Sequence, residues 1–115
     1  MRRGEIRLVD FEPARGSEAN KRRPAVIVSN DAANASAARM GRGVVTVVPV
    51  TSNVSRVFPF QALLAARSTG LEVDSKAQAE QVRAVAVQRV GRTVGVVPRT
   101  LMGQIDDALR LHLSL

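Results

Sequence analysis

Between Gly43 and Thr51 the chain reads Val44-Val45-Thr46-Val47-Val48-Pro49-Val50, with five valines in seven residues. Valine is stiff at χ1 and packs well on a pleated surface, so this stretch predicts a strand from Gly43 to Val50. Thr51-Ser52-Asn53 ends it with turn chemistry. The rest of the chain repeats the theme in short segments. Gly4 to Phe11 alternates apolar and polar residues with a slip of period near its middle, which predicts a strand with a bulge. Ala25 to Ser29 is a continuous apolar strand buried on both faces. Phe58 to Leu64 reads as a strand whose Pro59 suits an edge or a strand start. Leu71 to Ala77 and Glu80 to Val87 alternate, periodicity leaves Val85 to Val90 undecided, and Gly91 and Gly95 bracket a short connection.

Helical signals are fewer. Asp31 is placed to cap a short alanine-rich helix reaching Arg39. Pro98 to Leu115 carries Leu101, Ile105, Ala108, Leu109 and His112 on one face, with Thr100 as N-cap and Asp106 and Asp107 solvated. Leu111, Leu113 and Leu115 lie beyond that face and leave apolar surface to be covered. Five to seven short strands closed by one C-terminal helix predict a mainly β fold, a small curved antiparallel barrel. A length of 115 residues suits one domain, 1–115.

Seventeen Lys and Arg against ten Asp and Glu give a formal charge of +7, which attracts a polyanion. The absence of cysteine excludes a disulfide framework, a thiolate zinc site and a thiol nucleophile. No apolar run approaches the ~20 residues that span a bilayer, and no apolar core follows Arg2-Arg3, so no membrane association is expected and the cytoplasm is the expected compartment.

The stretch Gly16 to Asp31 carries the strongest functional signal. A polar, glycine-led loop gathers Lys21, Arg22 and Arg23 and passes through Pro24 into the apolar run Ala25 to Val28. Proline fixes its own φ and biases the preceding residue toward an extended conformation, so Arg23 is held at the mouth of a strand. Metal catalysis needs ligand clusters that one His, no Cys and no paired carboxylates do not supply. No Walker-type loop and no Gly-x-Gly-x-x-Gly after a strand is present. His112, alone on a helix face, reads as a packing residue rather than a catalyst. RNA cleavage by the neighbouring 2′-hydroxyl needs neither metal nor protein nucleophile, and an arginine fork beside the phosphate can stabilise its added charge.

Four segments in order, Arg3-Gly4-Glu5-Ile6, Gly16-Ser17-Glu18 with Arg23-Pro24, Pro49-Val50-Thr51-Ser52 and Glu80-Gln81-Val82-Arg83, resemble the MazF/PemK toxins. The resemblance runs over nearly the whole chain. It implies a homodimeric SH3-like antiparallel β-barrel of the CcdB/PemK type, neutralised by a cognate antitoxin with an acidic segment. The implied activity is sequence-specific, metal-independent cleavage of single-stranded RNA without a cofactor, leaving a 2′,3′-cyclic phosphate and a 5′-hydroxyl. By the same resemblance Arg23 and Thr51 are the catalytic residues. The RNA-binding set is Ser17, Glu18, Lys21, Arg22, Ser52, Glu80, Gln81 and Arg83, with Gln81 and Arg83 on one side of a strand. Phe58 and Phe60 also share a side, where core packing outweighs base stacking as the expected use. Two other readings stand beside the ribonuclease: a non-enzymatic toxin of the same fold that poisons DNA gyrase, and an RNA-binding barrel without catalysis.

Overall fold

The computed structural model describes residues 1–11 and 22–115. Among the described residues seven strands form, β1 (Glu5–Asp10), β2 (Arg22–Ile27), β3 (Val44–Thr51), β4 (Gln61–Leu64), β5 (Ser75–Gln78), β6 (Arg83–Ala86) and β7 (Val90–Val96). Three helices join them, α1 (Asp31–Met40), the short α2 (Ala66–Thr69) and α3 (Arg99–Leu113).

The valine-rich β3 is the hub. One edge pairs with β2 in the register Ala25↔Pro49 to Ile27↔Val47. The other edge is divided: Val44 to Val47 pair with β6, and Val50 and Thr51 pair with β5. The path β4-β5-β3-β2-β1-β7 is antiparallel throughout. The fold is mainly β with a C-terminal helix, as expected. Its sheet is not closed, because β4 and β7 end the path without pairing to each other.

Alternate residues of a strand point to opposite faces, so β3 feeds two cores. Val45 and Val47 join Val9, Ala25 and Ile27 beneath Ala37 of α1. Val48 and Val50 join Ile6, Val26 and Leu64 beneath Met102 and Ile105 of α3. Each fully buried Val or Ile contributes about 1.5–3 kcal/mol. The slip expected in the first strand is present, as two register shifts between β1 and β7. Burial pushes the Glu5 carboxyl up, but the Arg7 side chain and the Arg2 backbone bond to it and hold it, on balance, below its ordinary value.

Several local expectations are corrected. Asn30, not Asp31, caps α1, its Oδ1 accepting from the Ala33 amide at 2.8 Å. Asp31 instead accepts from the Arg3 backbone amide at 2.6 Å. Thr100 is not the N-cap of α3: Pro98 starts the ladder by accepting from the Met102 amide at 2.9 Å. Asp106 is paired with the Arg3 guanidinium, and His112 is exposed. Gly91 and Gly95 do not flank a connection; both lie inside β7. Phe58 to Phe60 precede β4 instead of belonging to it, the Gln61 amide closing a turn on the Phe58 carbonyl at 2.9 Å. Leu71 to Asp74 form a loop before β5, with the Asp74 carboxylate accepting from the Ala66 amide at 2.8 Å.

Candidate functional site

Arg23 and Thr51 stand on adjoining antiparallel strands, β2 and β3. Continuing the Ala25↔Pro49 register by two residues sets one beside the other. Both fall on the face that Ala25 and Val47 define, by the two-residue period. A cleft of about 650 Å³ reaches both residues at the end of the sheet; Leu8, Pro24 and Val50, which point to the opposite face, line it together with Arg23, Thr51, Ser52, the 70–73 loop and residues 92–94 of β7.

Arg23 is half-buried, and its Nη2 donates to Gln78 Oε1 of β5 at 3.4 Å, a long bond that leaves the guanidinium readily redirected. The Thr51 Oγ1 accepts from the Asn53 amide at 3.2 Å. Asn53 is braced in turn, its Oδ1 accepting from the Ser55 hydroxyl at 2.8 Å. That turn orients the threonine hydroxyl while its own proton stays available to donate. Arg92 and Glu72 also line the cleft, giving it two cations and one carboxylate.

Of the expected RNA-binding residues, Ser17, Glu18 and Lys21 lie outside the described residues. Ser52 is exposed on the cleft wall, and Arg22, also exposed, opens β2 opposite Asp10. Glu80, Gln81 and Arg83 do not line the cleft. Glu80 and Gln81 sit in a 3₁₀ turn closed by the Val82 amide on the Ala79 carbonyl at 3.1 Å, so Gln81 and Arg83 do not share a strand. Glu80 turns toward the protein, one oxygen accepting from Gln61 Nε2 at 2.7 Å and the other buried without a partner among the described residues. Arg83 lies over the Phe11 ring, 5.2 Å from its centroid. Sequence reasoning missed Gln78, Arg92 and the buried Lys76, which is the ladder partner of Thr51. The alternation through Lys76 placed it only on a polar side, and no pattern distinguished Arg92 within a segment read as a connection.

Residues 2–113 match the family model described as the PemK-like, MazF-like toxin of type II toxin-antitoxin systems. Endoribonuclease MazF9 of Mycobacterium tuberculosis is 64% identical over the whole chain and 98% of its own length. Endoribonuclease EndoA of Bacillus subtilis is 28% identical over the whole chain and 96% of its length. Among solved structures, MazF of Deinococcus radiodurans superposes with a TM-score of 0.78 at 25% identity, over 100% of this chain and 97% of that one. An endoribonuclease from a mycobacterial species, solved in complex with its cognate antitoxin, shares the fold with a TM-score of 0.76 at 22% identity, over 100% and 96% of the two chains. A match of this extent, on a fold whose cleft gathers the Arg-Pro and Thr-Ser segments, establishes that the chain belongs to the PemK-like, MazF-like toxin family of type II toxin-antitoxin systems.

Proposed function

We propose that this chain is a toxin endoribonuclease that cuts single-stranded RNA in the cleft beside Arg23 and Thr51. The observation that carries the reading is the meeting of these two residues in one cleft, in a chain 64% identical to an endoribonuclease. The 2′-oxygen of the nucleotide before the cut attacks the adjacent phosphorus, and the bond from phosphorus to the 5′-oxygen breaks. A 2′,3′-cyclic phosphate and a 5′-hydroxyl result. The 2′-hydroxyl proton passes to solvent and the departing 5′-oxygen takes one back, so the step balances without an added reactant.

A guanidinium offers a fork of donors and no acceptor, so the role of Arg23 is to donate hydrogen bonds to the crowded phosphate. Breaking its 3.4 Å contact with Gln78 for two short bonds to phosphate oxygens strengthens the interaction as charge builds. Thr51 donates its hydroxyl proton to the same phosphate and fixes its position. Arg22 and Ser52 at the rim guide the strand in, while Ser17 and Glu18 remain assigned to the RNA by resemblance and Lys21 by its charge. Glu80 supports the fold through its bond from Gln61. The exposed Leu111, Leu113 and Leu115 suit a homodimer or antitoxin contact, and the +7 charge favours an antitoxin with an acidic segment and a cytoplasmic setting rich in RNA.

The test is cleavage of a long single-stranded RNA in excess EDTA. Wild type is expected to give discrete cuts ending in cyclic phosphate, Arg23→Ala to lose about 10²–10³ in rate, and Thr51→Val to lose less. Full activity of Arg23→Ala overturns the assignment of the site.

A further inference from the structure

Three phenylalanines are the chain's only aromatic residues, and they are used differently. Phe11 packs against the core beneath α1, and Phe60 is half-buried. Phe58 is 37% exposed and belongs to neither core, against the expectation of core packing. Its ring lies flat on Phe60, with centroids 5.2 Å apart and planes 4° from parallel. The Arg56 guanidinium sits over it at 5.2 Å, and Lys76 Nζ stands 6.0 Å from its centroid.

The surroundings hold this ring in place. The Phe58 amide donates to Gln61 Oε1 at 3.1 Å, and Gln61 is tied to Glu80 as described. Lys76, only 7% exposed, donates its ammonium to the Arg56 carbonyl. Lys76 is also the residue directly across the ladder from Thr51, which places the ring on the Thr51 side of the sheet. An apolar ring kept exposed by buried polar groups is preorganised for a ligand. A ring face flanked by two cations suits a nucleotide, which offers a flat π surface and an anion together. An apolar protein partner would instead have to desolvate Arg56.

We propose that Phe58, backed by Phe60, is a stacking subsite for an unpaired nucleobase of the RNA, and that Arg56 swings from the ring to the adjoining phosphate when the base arrives. This rests on the ribonuclease reading above. Because stacking tolerates any base, the subsite adds affinity on the Thr51 side of the cut and leaves sequence choice to other contacts.

The chain has no Trp or Tyr, so Phe58→Trp supplies a single tryptophan reporter. The probes are a 2′-O-methyl oligoadenylate of about 12 nucleotides, within the usual site size for single strands, and an abasic strand of equal length and phosphate count. The oligoadenylate is expected to quench the tryptophan, and the abasic strand is not. Phe58→Leu, which keeps an apolar group on Phe60, is expected to bind the oligoadenylate about 5- to 100-fold more weakly and the abasic strand as wild type does. Equal quenching by both probes, or unchanged oligoadenylate binding by Phe58→Leu in a protein whose wild type cleaves RNA, overturns the subsite alone. A wild type that neither binds nor cleaves RNA overturns the ribonuclease reading and the subsite with it.

Discussion

At Gly95 the backbone of β7 passes close under the end of α2. A Cβ added there would lie 2.7 Å from the Thr69 carbonyl oxygen and 3.3 Å from Cδ1 of Ile6. The first neighbour is backbone and cannot swing aside, so Gly95→Ala must displace either β7 or α2. We expect a loss of about 1–3 kcal/mol in urea unfolding, the usual cost of overpacking. At Gly91 the nearest atom, the Leu8 carbonyl oxygen, would stand 3.1 Å away, and Gly91→Ala is expected to cost less. The role of these glycines was not legible in the chain. Glycine signals a break when read locally, whereas here it permits two segments far apart in sequence to touch. Lys76 was hidden for a similar reason, since the Arg56 carbonyl that accepts from it is twenty residues away.

Among the elements, α1 leans most on a single side chain. Its interior is alanine-rich and buries only Asn34 and Ala37, so packing holds it weakly and the Asn30 cap matters. Asn30→Ala is expected to cost about 1 kcal/mol, read as a lowered urea midpoint with an unchanged slope. The elements that could be read from sequence were those whose pattern outlasts one turn or one pleat. The valine run and the stripe of α3 as far as Leu109 emerged where expected, whereas the strand expected over Ala25 to Ser29 begins three residues earlier, at Arg22, and ends at Ile27. Alternation failed at Ala79 to Gln81, because three residues cannot separate a pleat from a 3₁₀ turn. It failed at Phe58 because Pro59 and the Gln61 turn, not the spacing of the rings, set which way they face. The meeting of Arg23 and Thr51 was not readable from spacing at all. Twenty-eight positions separate them in the chain, and only the pairing of β2 with β3 closes that gap.

For the molecule as a whole, a charge of +7 makes salt the simplest probe of how it meets RNA. Each cation that neutralises a phosphate of a single strand adds about 0.7 to the slope of log affinity against log salt. Arg22→Ala, at the exposed mouth of β2, is expected to lower that slope by about 0.7 when binding of 2′-O-methyl RNA is titrated by anisotropy. A slope identical to wild type would remove Arg22 from the binding surface. The fold has a further global property in the way its two ends are joined. The guanidinium of Arg3 ties to Asp106 of α3 and to the Val28 carbonyl, and β1 is clasped between β2 and β7. Ile6 is covered by residues of α3. As the chain is made, β1 therefore waits for β7 and α3 before it is enclosed. A nascent chain stopped short of Val90 has β1 paired along one edge only and the core beneath α3 open, so translation itself delays the finished sheet until β7 and α3 have been made.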